Sequence, residues 1–475
     1  MTTKITSFIM MLILFNISVY THAQVTLTPV TGYTDFFIPL SGGFNEQGNK
    51  LVIGEKFGKI WLNDWNTNER TLLIDLEPII NKSGEQGLLD TELRHNRLYA
   101  LYTALRSTIV EGATNNASAS LVRFVSWDLN DTELTNFRIL AEIPILSNNH
   151  VGGAIEFLSD ETAVISTGTC QSCPYTTQAL QDGIITQAPA NGYYKAQQLS
   201  FLQGKILRID VETGLAPLDN PFYPSLVYMK GLRNPFRFSV FNDYLYIADV
   251  GESRYESIKV ANVGGSNLGF PFYEGIETYL APNFLNPDTS SSFNNFITEA
   301  TSFDDTGEWQ VRKASLAYGR FQNQYTQIVD SNYNEITSSI LATGISVVGG
   351  VVIPEINKYV FNDYFLNDIY FATVENNYLT DIDFKVNVGV NSITKWFTHP
   401  NGEVYAISAN TGLLKLEFDS LSVNEITQNN KPIKVEYYNL LGQLVNYQEN
   451  TTLIKKEYYN NSTITTKIHI VNLKD

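Results

Sequence analysis

The sequence holds two cysteines, four methionines and five histidines in 475 residues. So few cysteines exclude a disulfide-dense scaffold and any zinc module built on two cysteine pairs. Both lie in Cys170-Gln-Ser-Cys173, a spacing open to half a zinc site, a redox motif or a local disulfide. No His-x-x-x-His pattern completes a zinc site, and no βαβ context supports a thioredoxin-like use. Positive charge is also scarce. The 32 Lys and Arg against 49 Asp and Glu give a net charge of −17, which argues against binding a nucleic-acid backbone. The acidity serves solubility.

Long apolar runs are missing beyond the first residues, so no integral membrane span is expected. The one early run, Phe8 to Phe15, follows the lone cation Lys4 and precedes His22-Ala23-Gln24. This order predicts an export signal over residues 1–23 and a secreted or cell-surface protein. In that setting a local disulfide closing a loop is the expected state of the cysteine pair.

Aromatics are abundant instead, with 27 Tyr and 27 Phe, and such residues favour strands. Short apolar and aromatic runs alternate with Gly, Asn, Asp and Pro clusters, while long 3.6-residue periodicity is hard to find. The chain therefore reads as all-β. Leu51–Leu62 is strand, Gly turn, strand, and Val404–Leu416 repeats the shape. Tyr244–Gly251 is a third strand ending in a turn. Recurrent hairpins of this kind suggest propeller blades, with a pair of β-sandwiches as the other all-β reading. Composition changes near Ser420, and 419–475 reads as a separate small, β-sandwich-like module.

Five motifs occur in order: Gly84-Glu-Gln-Gly-Leu-Leu89, Asn149-His-Val-Gly-Gly153, Gly204-Lys-Ile-Leu-Arg-Ile-Asp210, Gly231-Leu-Arg-Asn-Pro-Phe-Arg237 and Asp249-Val-Gly-Glu252 with Glu256. Asn267-Leu-Gly-Phe-Pro271 and Glu274-Gly275 extend the last of these, and Asn401–Tyr405 resembles a final blade strand. Together they resemble the glucose/sorbosone dehydrogenase family over residues 24–418. The resemblance implies a six-bladed β-propeller that binds pyrroloquinoline quinone (PQQ) and calcium at one end of its axis. It also implies a sugar substrate oxidised by hydride transfer from its anomeric carbon.

His150 is the expected catalytic base, because a neutral imidazole can take a hydroxyl proton as hydride leaves. Gly152 and Gly153 would let backbone and ligand approach closely. Arg233 could stabilise charge on a reducing quinone, and Asn234 could bind its polar edge. Glu85 stands where the family's enzymes carry a cofactor-contacting Gln. By family position, the carbonyls of Val250 and Gly251, with Asp249, would ligate calcium. Arg237 reads as structural. Thr169 stands where an Asp usually follows Thr-Gly. Near 392–396, where arginines can clamp the cofactor carboxylates, Lys395 is the one cation.

Val435–Val445 and Lys467–Val471 resemble the sorting domains of type IX secretion cargo. That likeness implies the type IX secretion machinery as a partner. The expected function is that of an extracellular PQQ-dependent aldose dehydrogenase. The alternative is a non-catalytic propeller binding carbohydrate or protein at the cell surface.

Overall fold

The computed structural model describes residues 25–105, 120–145, 148–169, 195–262, 264–271, 273–278, 314–320, 326–329, 335–338, 340 and 342–418. Near the C-terminus it also describes the strands Lys434–Tyr438, Leu444–Val445, Ile454–Tyr458 and His469–Ile470. The expected export signal and the Cys170–Cys173 pair lie outside these residues.

The architecture is a six-bladed β-propeller. Pro39–Phe44, Leu88–Arg94, Gly152–Phe157, Pro235–Phe241, Val347–Ile353 and Ile393–Thr398 are the innermost strands of blades 1 to 6. Each inner strand packs on the next, and the sixth closes onto the first. Three or more further antiparallel strands step outward from each inner strand. The last blade takes its outermost strand from the other end of the chain: Val25–Pro29 pairs with Gly412–Phe418. This pairing joins the two ends of the propeller and leaves no open seam in the ring. Between blades the core is apolar. Tyr246, Tyr359, Phe361 and Tyr370, for instance, stack at centroid spacings of 5.1, 5.9 and 5.2 Å.

One irregularity recurs six times. Register breaks fall at Pro39/Ser41, Leu88/Asp90, Gly152/Ile155, Pro235/Arg237, Val347/Gly349 and Ile393/Lys395, near the start of every inner strand. A bulge turns carbonyls out of the ladder and re-aims the side chains that follow. Arg237 uses this. Its guanidinium donates to the carbonyls of Leu89 (2.9 Å), Leu40 (3.0 Å) and Thr394 (3.0 Å), to Phe236 O, and to Gly153 O. Five blades thus converge on one fully enclosed cation, which plugs the axis and separates its two mouths. The structural reading of Arg237 holds.

The four C-terminal strands form one sheet, with Lys434–Tyr438 and Ile454–Tyr458 at its centre. Among the described residues, no helix is long and apolar enough to cross a membrane.

Candidate active site

The loops that feed the inner strands of blades 2, 3 and 4 meet at one mouth of the axis. His150 has φ 54°, in the left-handed region, and Gly152 and Gly153 follow at φ 75° and 131°. A Cβ on Gly152 would lie 2.7 Å from Gly168 N, so only glycine fits this approach of blade 3 to its own second strand. The turn is held from two sides. Glu85 Oε2 accepts the His150 N–H at 2.7 Å, and Asn234 Oδ1 accepts the Gly152 N–H at 3.0 Å. Asn234 Nδ2 reaches Glu85 Oε2 at 3.4 Å, closing a three-blade link.

Arg233 occupies the centre. Its side chain is 5% exposed. It pairs with Glu252 through Nε at 2.6 Å, donates from Nη1 to Val250 O at 2.9 Å, and places Nη2 3.3 Å from His150 Nε2. A guanidinium only donates, so His150 Nε2 is the acceptor and the ring proton sits on Nδ1. That Nδ1 is buried and has no partner among the described residues, and the same is true of Thr169 Oγ1. Burial, then the charges of Arg233 and Arg320, push the His150 pKa down to about 2. The imidazole is therefore neutral but weakly basic as the site stands. Burial raises the Glu85 pKa, opposed by the N–H groups of His150 and Val151 and by Arg233.

The expected calcium ligands point the same way but are filled differently. Asp249 Oδ1 accepts the backbone N–H of Arg233 at 2.9 Å and of Asn234 at 2.8 Å, and Asp249 Oδ2 takes Lys259 Nζ at 2.6 Å. Val250 O receives Arg233, and Gly251 O receives Arg320 Nη1. Arg320 also pairs with Glu256 at 2.6 Å. Two arginines thus stand where the resemblance places a divalent cation, and a metal there would face fixed positive charge. These residues do not fit calcium. Among the described residues, no group of three or more His, Cys, Asp or Glu could hold a metal ion.

Lys395 is not at this mouth. It lies past the plug, 4% exposed, with Nζ 2.8 Å from Asp90 and in contact with Glu92. The bulge at Ile393/Lys395 turns its side chain into the axis rather than towards His150.

Sequence reasoning missed Glu252, which neutralises Arg233, and Arg320. It also missed the work of Glu274, whose Oε1 accepts the N–H groups of Glu252, Ser253 and Arg254 at 2.8, 2.7 and 2.8 Å and so shapes the loop. Both glutamates stand in the quoted motif run, which was the available signal. Arg320 carried none.

The fold is thus a six-bladed propeller with a neutral histidine and a buried arginine at one axial mouth. The glucose/sorbosone dehydrogenase family model matches residues 38–298, and the chain belongs to that family. The chain is 33% identical over 131 residues to the HIPL1 protein of Arabidopsis thaliana, a stretch covering 23% of this chain and 18% of that protein. It thus matches about a fifth of the length of that relative. The PQQ-bound aldose sugar dehydrogenase of Streptomyces coelicolor superposes with a TM-score of 0.55 at 16% identity, covering 84% of this chain and 99% of that one. The apo-form soluble aldose sugar dehydrogenase of Escherichia coli gives 0.55 at 17% identity, covering 83% and 99%. At these identities the likeness establishes the fold.

Proposed function

We propose that the chain is an extracellular aldose dehydrogenase that uses PQQ. The observation that carries this reading is the contact of His150 Nε2 with Arg233 beside Glu85 and Asn234. An anionic quinone suits this donor set, with Arg233 and Arg320 supplying charge. Such a group, when bound, accepts the two electrons of a hydride leaving the anomeric carbon. Once Arg233 Nη2 turns from it to the bound anion, His150 Nε2 takes the proton from the anomeric hydroxyl, so that the aldose leaves as a lactone. Asn234 and Glu85 keep the His150 turn in place, and Glu252 holds Arg233 towards the mouth.

The same geometry explains how a weak base becomes useful. Negative charge entering beside Arg233 and Arg320 offsets the repulsion that depresses the imidazole, so its pKa rises on binding. Calcium has no part in this proposal, because guanidinium groups hold the carbonyls it would need.

A second reading rests on Lys395. Its burial beyond the plug leaves the mouth without that cation, and PQQ carries three carboxylates that want clamping. That favours a non-catalytic propeller binding a neutral carbohydrate or a protein at the cell surface. Reconstitution decides between the two. Saturable PQQ absorbance changes and dye reduction with a panel of aldoses are expected. Absence of both would leave the binding reading.

For the chain as a whole, we propose residues 1–23 as an export signal, 24–418 as the propeller unit and 419–475 as a type IX sorting module. Secretion of a reporter fused to 419–475 by a type IX-competent host, and its retention when the module is deleted, would support this.

A further inference from the structure

The opposite mouth of the axis opens into a cavity of about 410 Å³. Its floor carries Glu92, Glu156 and Ser239, and its wall includes Phe44, Phe241 and Phe397. All three floor residues lie on inner strands, past the Arg237 plug. Ser239 shares the axial face of its strand with Arg237, two residues away. It is 7% exposed, and its Oγ has no hydrogen-bond partner among the described residues. Among the described residues no donor meets the Glu156 carboxyl, and Lys395 is spent on Asp90 and Glu92. Trp396 in the wall gives its N–H to Asn362 at 2.8 Å.

The Glu156 carboxyl and the Ser239 hydroxyl therefore face the cavity without a protein partner among the described residues, and burying such groups unpaired is costly. An occupant with N–H donors would satisfy both. The wall narrows the choice. Phe44 lies against Trp65, His399 and Tyr405 at 4.9, 4.5 and 5.3 Å, and Phe397 stacks on Tyr405 at 6.2 Å. These rings are occupied with one another, so they line the way in with apolar surface but leave little open face for a sugar ring to stack on. A slim aliphatic stem ending in a donor-rich cation suits the shape. We propose that this cavity is a second ligand site, taking an alkylammonium group whose N–H donors meet Glu156, Glu92 and Ser239.

Burial pushes the Glu156 pKa well above its usual range, further raised by Glu92 and Asp90 and opposed by Lys395 and Arg94. The charged groups facing it are Asp90, Glu92 and Arg94 from blade 2, Arg237 from blade 4 and Lys395 from blade 6. An arriving ammonium stabilises the ionised carboxylate, so binding should release a proton.

Isothermal titration of the full chain with n-butylamine and with Nα-acetyl-lysine amide tests the site, and methyl glucoside serves as the neutral probe. Saturable amine binding with proton release, read from buffers of different ionisation enthalpy, is expected. Binding of both amines marks a general ammonium site, and binding of the lysine derivative alone marks a side chain of a protein partner. Glu156→Gln should weaken binding about tenfold or more. It keeps the size of the side chain and leaves no ionisable group there, so it should fold about as well, as a melting curve will show. Ser239→Ala should weaken binding less, and His150→Ala should leave it unchanged. No saturable amine binding, amine affinity unaltered by Glu156→Gln, or preference for the glucoside overturns the proposal. None of these outcomes depends on quinone binding or sugar oxidation.

Discussion

The two mouths of one axis have opposite electrostatics. At the first, two arginines press on a neutral imidazole. At the second, two carboxyls face a cavity and burial pushes their pKa values up. Between them stands Arg237, bonded to the carbonyls of five blades. The chain has a net charge of −17, yet two arginines, each paired with a glutamate, converge on its first mouth. The comparison teaches that a propeller's site chemistry is set by which side chains the inner strands send into the axis, and at what depth, rather than by overall composition.

The largest effect should come from the first mouth. His150→Ala is expected to lower aldose oxidation about a thousandfold while leaving PQQ binding intact by absorbance. Turnover that survives the change would remove His150 as the base. Breaking the partition comes next. Arg237→Met leaves five carbonyls without their donor, and should cost roughly 3 kcal/mol or more in denaturant unfolding. A variant as stable as the parent would mean that water replaces the guanidinium without cost.

Acidity should then separate the mouths by sign. The folded pKa of His150 lies below its ordinary 6.5, at about 2. Only the unfolded chain binds that proton as pH falls from 6.5, so stability drops on that side. The folded pKa of Glu92 lies above its ordinary 4.5, at about 7, through burial. Here the folded chain holds the extra proton, so stability is lost as pH rises from 4.5 to 7. Melting curves across this range should show Glu92→Gln removing the loss on the alkaline side and His150→Gln the loss on the acid side. The reverse pattern would mean that the two mouths had been assigned the wrong charge states.

The smallest effect is an expected constancy. A calcium chelator should leave PQQ binding and melting unchanged, because Arg233 and Arg320 hold the carbonyls of Val250 and Gly251. Arg320→Met should make binding calcium-sensitive. Chelator sensitivity in the unaltered protein would show that the arginines give way to the ion.

Much of the first mouth was legible because its turns are written in adjacent residues. His150-Val-Gly-Gly153 needs glycine at positive φ, and Arg233-Asn-Pro235 fixes the entry to the next strand. Glu85, His150, Arg233 and Asn234 are indeed brought together. Three features were not legible. The six bulges leave no common residue, since Leu40, Leu89, Ala154, Phe236, Val348 and Thr394 fall within them. The arginine that takes Gly251 O is 69 residues from it. Lys395 and Asp90 are 305 residues apart, and no local pattern marks such a pair.

The sequence by itself determined the strands, the turns between them and the family, because alternation and turn chemistry act over a few residues. Only the tertiary structure decided what fills the axis. Its walls are shared by six strands from distant parts of the chain, and each bulge aims a side chain at partners that no stretch of sequence contains. That is why the motif residues fell where expected, while Lys395 went into an ion pair beyond the plug and two arginines stand where a metal was expected.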